Sequence, residues 1–336
     1  MHVSDFDYEL PADRIAQAPV EPRDLARLLV DRGPGRYDHR RVRDLPRYLE
    51  PGDLVVVNDT KVLPARLNLQ RTTGGAVEVL LLEPVDGASR RWEALVRHGG
   101  RLKEGEFLRH QQTGSEVLFH GRHGHGDSFE VELCHDGDSL AFIERIGTLP
   151  LPPYVTEGVE DEDRYQTVYA RRPASAAAPT AGLHLTRELI QSLQDKGVEF
   201  ASVELVVGAD TFRPIQTEDP REHAIHSEFY SVPESTLELA EMAERVVAIG
   251  TTAVRSLESV ATFGELNGRT QLFIHGDYEW KMVDLLLTNF HMPRTTLLLL
   301  VDAFTRGGWR EIYAAALAHE YRFLSFGDAM LLERRR

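Results

Sequence analysis

The stretch Asp53-Leu54-Val55-Val56-Val57-Asn58-Asp59-Thr60-Lys61 carries the first decision about the fold. Its apolar half runs without alternation, as a strand covered on both faces does. Its polar half stops the strand and presents hydrogen-bonding side chains just past the carboxyl end, where ligands of α/β folds gather. Such a strand needs parallel neighbours, and the sequence after Pro150-Leu151-Pro152-Pro153 supplies them. Thr186 is placed to cap a helix carrying Leu189, Ile190 and Leu193 and ended at Gly197. The pattern then predicts a strand over 203–207, a helix over 235–245, a strand over 246–249 and a helix from 252 to about 263. A strand over 272–274 and helices over 295–304 and 309–319 complete it. Alternation of this kind means parallel strands with crossover helices.

Between 66 and 146 the character differs. Short β-type runs at 77–82, 92–96, 117–119 and 129–133 are separated by Gly74-Gly75, Asp86-Gly87, Gly99-Gly100 and Asp136-Gly137, with no helical pattern expected. This reads as a small antiparallel barrel or sandwich. The expected architecture is an α/β domain over 1–60 and 148–336, barrel-like, with an inserted antiparallel β-barrel over 61–147.

Composition narrows the function classes. The 336 residues carry 42% hydrophobic and 27% charged residues, ordinary for a globular protein. No apolar run approaches the ~18 residues of a membrane span, and Met1-His2-Val3-Ser4-Asp5 does not begin a signal peptide. A cytoplasmic monomer is expected. Cys134 is the single cysteine, so an internal disulfide is excluded and a cysteine-based metal site is not expected. The net charge of −15 argues against general attraction to a polyanion, yet six arginines (32, 36, 40, 41, 43, 47) crowd 32–47 against Asp38 and Asp44.

The loops after the predicted strands hold the candidate chemistry. Gly208-Ala209-Asp210-Thr211-Phe212-Arg213-Pro214 follows 203–207. Gly250-Thr251-Thr252 opens a helix whose free N–H groups favour an anion, and Arg255 one turn on can pair a carboxylate. Neither a Walker loop nor a dinucleotide fingerprint is present. Thr288-Asn289-Phe290-His291 precedes the helix at 295. His223-x-x-His226-x-Glu228 invites a metal reading, but in an extended segment His226 and Glu228 share a side, which suits acid–base work or substrate contact better. His120, His123 and His125 sit at an expected hairpin tip and are read as loop residues.

These loops also carry a resemblance. Asp5-Phe6-Asp7-Tyr8-Glu9-Leu10-Pro11, Asn58-Asp59-Thr60-Lys61-Val62-Leu63-Pro64-Ala65-Arg66, Leu149-Pro150-Leu151-Pro152-Pro153-Tyr154 and Ala178-Pro179-Thr180-Ala181-Gly182-Leu183-His184 appear in order. Thr211-Phe212-Arg213-Pro214, Gly250-Thr251-Thr252 with Leu257-Glu258-Ser259, Thr288-Asn289-Phe290-His291 and Gly327-Asp328-Ala329-Met330 follow. The chain resembles the S-adenosylmethionine:tRNA ribosyltransferase-isomerases of queuosine biosynthesis. The resemblance implies an α/β barrel-like domain with an inserted β-barrel, S-adenosylmethionine as co-substrate, no metal or redox cofactor, and a tRNA anticodon loop as partner. The implied reaction alkylates the amine of 7-aminomethyl-7-deazaguanine in tRNA with the ribosyl part of S-adenosylmethionine, giving epoxyqueuosine and releasing adenine and methionine.

This chemistry needs a base for the C5′ proton, with His226, Glu228 and His184 as candidates, and a donor to the departing adenine, with Asp59, Asn289 and His291 as candidates. Thr180, Arg213, Thr251, Thr252, Arg255, Asn289 and Phe290 are expected to bind substrate, with the methionine carboxylate at Gly250–Thr252 and Arg255. The sequence departs from the family pattern at Val206, Asp210, Leu185 and Asp277. Asp210 and Asp277 are expected to bring carboxylates near the pocket. The alternatives they suggest are a diverged enzyme with a small-molecule acceptor, or a non-catalytic RNA- or nucleotide-binding descendant.

Overall fold

A computed structural model describes residues 1–87, 89–124, 127–158, 161–208, 214–225 and 227–335. The chain divides into two compact units, one of Met1–Thr60, Pro152–Arg172 and Ala178–Arg336, the other of Lys61–Leu151 with Pro173–Ala177.

The first unit is an α/β layer structure on a mixed sheet. Its strands are β1 (Arg27–Asp31), β2 (Tyr37–Arg41), β3 (Asp53–Asn58), β4 (Glu199–Leu205), β5 (Glu228–Ser231), β6 (Arg245–Ile249), β7 (Asn267–Thr270), β8 (Leu285–Asn289) and β9 (Ala329–Glu333). Their order across the sheet is β7-β5-β4-β3-β6-β8-β9-β1-β2. The centre, β4-β3-β6-β8, is parallel. Parallel pairing of these strands needs crossovers, supplied by α1 (Arg187–Asp195), α2 (Glu234–Met242) and α3 (Gly250–Phe263), while α4 (Thr296–Thr305) and α5 (Trp309–Ala318) lead from β8 to its antiparallel neighbour β9. β3 is buried at every position, which is what its unbroken apolar run requires. Thr186 caps α1 through the Leu189 N–H, as expected.

β1, β2, β5 and β9 were not anticipated, and three further elements differ from the sequence reading. The strand expected at 272–274 lies earlier, at β7, where edge pairing with β5 needs no apolar run. β8 was not anticipated, because Leu285-Leu286-Leu287 is too short a run to distinguish strand from helix. A helix, Ser139–Ile146, closes the second unit; Asp138 caps it, and Phe142, Ile143 and Ile146 are buried in that unit's core.

The second unit is a closed antiparallel barrel. Strands Arg66–Arg71, Ala76–Pro84, Arg91–Val96, Phe129–Cys134, Glu116–Arg122 and Glu106–Arg109 pair in that order, and Glu106–Arg109 pairs back onto Arg66–Arg71. Inward residues alternate with outward ones, as in Ala76–Pro84, so six short strands enclose one core.

Candidate active site

The parallel strands β3, β4, β6 and β8 end at one edge of the sheet, and the segments after β6 and β8 build one cleft there. The cleft opens to solvent, and its empty space with that opening included is about 620 Å³. β6 runs into α3 with no linker, which Gly250 permits by adopting φ +86°. The residue before α3, Ile249, offers no side-chain cap, and Gly250, Thr251 and Thr252 of its first turn line the cleft. The Thr252 Oγ1 is buried with no hydrogen-bond partner among the described residues.

The opposite wall is β8 and the residues after it. Asn289 is held from two sides: Thr180 Oγ1 donates to its Oδ1 at 2.9 Å, and its Nδ2 lies 3.1 Å from His184 Nε2. The His184 ring also hydrogen-bonds the Arg23 backbone. The Thr180 contact fixes the Asn289 amide so that Nδ2 donates and His184 Nε2 accepts, leaving the histidine proton on the nitrogen facing Arg23. Burial, reinforced by the Arg322 charge, lowers the His184 pKa to about 4. His291 lies 3.1 Å by its Nε2 from Thr288 Oγ1, and burial lowers its pKa to about 3. Both imidazoles are therefore neutral at physiological pH. His291 as a protonated donor to a leaving base is not available; it offers a neutral ring.

Phe290 lines the cleft but is fully buried, its ring packed against Tyr313, Tyr321 and Phe323, so it is chiefly a core residue. Its carbonyl accepts the N–H of Leu324, which is held at φ +70° where a leucine is strained. Leu324, Ser325 and Tyr154 line the cleft and had no part in the sequence-derived site. Tyr154 OH lies 2.7 Å from Ser325 Oγ, and burial pushes the phenol up to about 12. The strained leucine leaves no sequence signature; Tyr154 was visible only as the end of a proline-rich string.

Glu228 and Arg255 form a buried ion pair, and Glu228 also accepts the Gly208 N–H at 3.4 Å. Arg255 Nε and Nη2 are buried without partners among the described residues. Neither residue lines the cleft directly, but Val207 and Thr251, adjacent to Gly208 and one turn before Arg255, do. Asp59 is not in the cleft lining; it faces Arg171 at 3.8 Å. Among the described lining residues none is Asp, Glu, Lys or Arg. His226, Arg213 and Asp210 lie outside the described residues. Asp277, expected near the pocket, is fully exposed and faces Arg306. Val206 is simply a buried apolar residue.

No group of three or more His, Cys, Asp or Glu with metal-binding geometry occurs among the described residues. His120 and His123 face Glu132 and Glu130 across the barrel hairpin; His125 lies outside the described residues. No helix among them is long and apolar enough to cross a membrane.

Residues 3–332 match the family model described as queuosine biosynthesis protein. The S-adenosylmethionine:tRNA ribosyltransferase-isomerase of Symbiobacterium thermophilum is 48% identical, over 99% of this chain and 100% of the relative. That of Thermotoga maritima is also 48% identical, over 99% and 100%. A crystal structure of an S-adenosylmethionine tRNA ribosyltransferase from Thermotoga maritima is similar, with a TM-score of 0.56, 39% identity and coverage of 98% of this chain and 99% of that one.

Proposed function

The chain belongs to the queuosine biosynthesis protein family of S-adenosylmethionine:tRNA ribosyltransferase-isomerases, and on that premise we propose that it transfers and isomerises the ribosyl group of S-adenosylmethionine onto 7-aminomethyl-7-deazaguanine in tRNA. The product is epoxyqueuosine. The C5′–S bond, the bond to adenine and one C–O bond of the ribose ring break; an N–C bond to the acceptor amine, a C–C bond closing the carbocycle and the second C–O bond of the epoxide form. Of the two protons displaced from the amine and C5′, one goes to adenine and the other leaves with the charge of the sulfonium. The observation that carries this reading is that one cleft is lined both by the first turn of α3 and by Asn289, whose amide is held by Thr180 and by the buried His184 behind it.

The donor's carboxylate belongs at the α3 N-terminus. There Gly250, Thr251 and Thr252 offer N–H groups and the unpartnered Thr252 hydroxyl. The nucleoside end belongs at Thr180, Asn289 and His291, whose uncharged hydrogen-bonding groups suit adenine and ribose. The base for the C5′ proton is assigned to Glu228 or its neighbour His226. Arg255 pairs with the Glu228 carboxylate beside the cleft. His184 orients Asn289 and does not itself transfer protons. Asp59, turned toward Arg171, has no direct part in adenine departure. Arg213 remains a candidate contact of the loop after β4. S-adenosylmethionine acts as co-substrate, and a cytoplasmic location goes with a tRNA acceptor.

The test is product analysis by mass spectrometry after incubation with S-adenosylmethionine and tRNA carrying 7-aminomethyl-7-deazaguanine. Adenine and methionine released together with an epoxyqueuosine nucleoside is the expected result. Adenine release with unchanged RNA would overturn the acceptor assignment in favour of a small molecule.

A further inference from the structure

We propose that the arginines at the active-site end of the sheet's last two strands, Arg27, Arg40 and Arg41, are the surface that holds the phosphates of the RNA acceptor. This rests on the RNA reading above and gives it a location. β2 is the edge strand, and it pairs with β1 so that Arg41 stands directly opposite Arg27. Like charges directly opposite on a sheet are destabilising. Arg40 and Arg41 are exposed. Among the described residues no carboxylate is in ion-pair contact with Arg27, Arg40 or Arg41, whereas the nearby Arg43 and Arg47 are paired with Asp24 and Asp44.

The bland explanation is that edge charges merely prevent strand-to-strand aggregation. That purpose is met by a single charge anywhere along β2 and does not account for two opposed arginines at one end. Their position is tied to the cleft. Leu28 pairs with Ala329, and Ala329 with Asn289, so Arg27 starts the strand two places from the cleft asparagine. The Arg27 N–H donates to Asp328 Oδ1 at 2.8 Å, and the Asp328 carbonyl accepts from Asn289 Nδ2 at 3.5 Å. The Arg27 guanidinium is held 3.9 Å over the Tyr321 ring and bonded to the His319 carbonyl at 2.5 Å, so its position is preset. A polyphosphate chain passing this end of the sheet would neutralise the opposed pair while its target base enters the cleft.

The two remaining arginines of the tract with no carboxylate in ion-pair contact among the described residues, Arg32 and Arg36, flank the β1–β2 turn at the opposite end of the same strands. They supply the control, since removing them changes net charge equally. The experiment measures binding of a fluorescent anticodon stem-loop RNA by anisotropy across a potassium chloride series. Wild type is compared with Arg40→Ala/Arg41→Ala and with Arg32→Ala/Arg36→Ala, each checked for unchanged melting temperature; Arg41→Gln serves if the first double variant melts early. The expected result is an affinity loss on the order of twentyfold at 0.15 M salt for Arg40→Ala/Arg41→Ala, with a log–log salt slope smaller by about two. S-adenosylmethionine affinity should stay unchanged and Arg32→Ala/Arg36→Ala should bind nearly as wild type does. Equal losses from both pairs, or none from Arg40→Ala/Arg41→Ala, would overturn the inference while leaving the RNA reading intact. Failure of wild type itself to bind RNA would overturn both.

Discussion

Asn289 donates to the imidazole of His184 across 3.1 Å, joining the end of β8 to the short helical turn Thr180–His184. Thr180, at the other end of that turn, binds the same amide, so one side chain sets the distance between two walls of the cleft. Asn289→Asp keeps the Thr180 contact but turns an acceptor toward an imidazole nitrogen that is itself an acceptor. Adenine release should fall at least about tenfold in kcat/KM, and the pH profile should shift upward as His184 is drawn toward protonation. Thr180→Val should cost less, since it removes only one neutral hydrogen bond. An Asn289→Asp enzyme with wild-type kinetics would show that the amide orientation is irrelevant.

Stability should depend on pH through the same groups. An unfolded histidine titrates at about 6.5, while burial lowers His184 to about 4 and His291 to about 3. The unfolded chain therefore binds more protons between these values. The contribution of the neutral rings is full above about 6.5 and is lost as pH falls through the folded values. Asp328 and Glu204, whose pKa values burial raises, act with the opposite sign. The informative quantity is thus the difference between wild type and His291→Gln in urea denaturation from pH 7.5 to 5. Wild type should lose more stability than the variant over that interval. Parallel curves would contradict the buried neutral state of His291.

Gly182 leaves room for Tyr169. A methyl group there would lie 2.0 Å from the Tyr169 hydroxyl, far inside contact distance. Gly182→Ala should displace the turn that carries Thr180 and His184, costing about 1–3 kcal/mol of stability and a larger share of activity. Tyr169→Phe removes the clashing oxygen, so the double variant should recover part of both. No recovery would place the strain elsewhere.

Glu258 is fully buried in α3, and its carboxylate accepts from Tyr278 OH and the N–H groups of Lys281, Met282 and Val283 at 3.0–3.1 Å. Glu258→Ala leaves three backbone donors without that acceptor and should destabilise by about 3 kcal/mol. Glu258→Gln should fall between. Chemical denaturation measures both. A neutral Glu258→Ala would mean that water replaces the carboxylate.

The buried Glu228–Arg255 pair should behave as a unit. Removing Glu228 alone strands the Arg255 charge, and removing Arg255 takes away the carboxylate's cationic partner; each should cost about 3 kcal/mol. The double variant Glu228→Gln/Arg255→Met should cost less than the sum. Additive losses in a double-mutant cycle would show that the two do not interact energetically.

Much of this was legible in the residues. The unbroken run at β3 announced a doubly covered strand, and Thr186 marked its helix start to the residue. Gly250 and the threonines after it announced a helix start at the end of a strand. β8 was not legible, although it carries Asn289, because three leucines fit either period. The charge state of the histidines was equally hidden. An imidazole's proton affinity is a property of what surrounds it, and the neighbours of His184 come from residues as distant as Arg23 and Arg322.

The sequence by itself therefore determined the two architectures, the strand ends at which chemistry gathers, and the family to which the ordered motifs point, because these depend on local periodicity and turn chemistry. Tertiary structure alone decided which motif residues meet. It brought Thr180, His184 and Asn289 together, turned Asp59 toward Arg171 and Asp277 toward solvent, and set Arg27 opposite Arg41. Those outcomes depend on strand order and register, which join segments far apart in the chain and leave no trace in any short window.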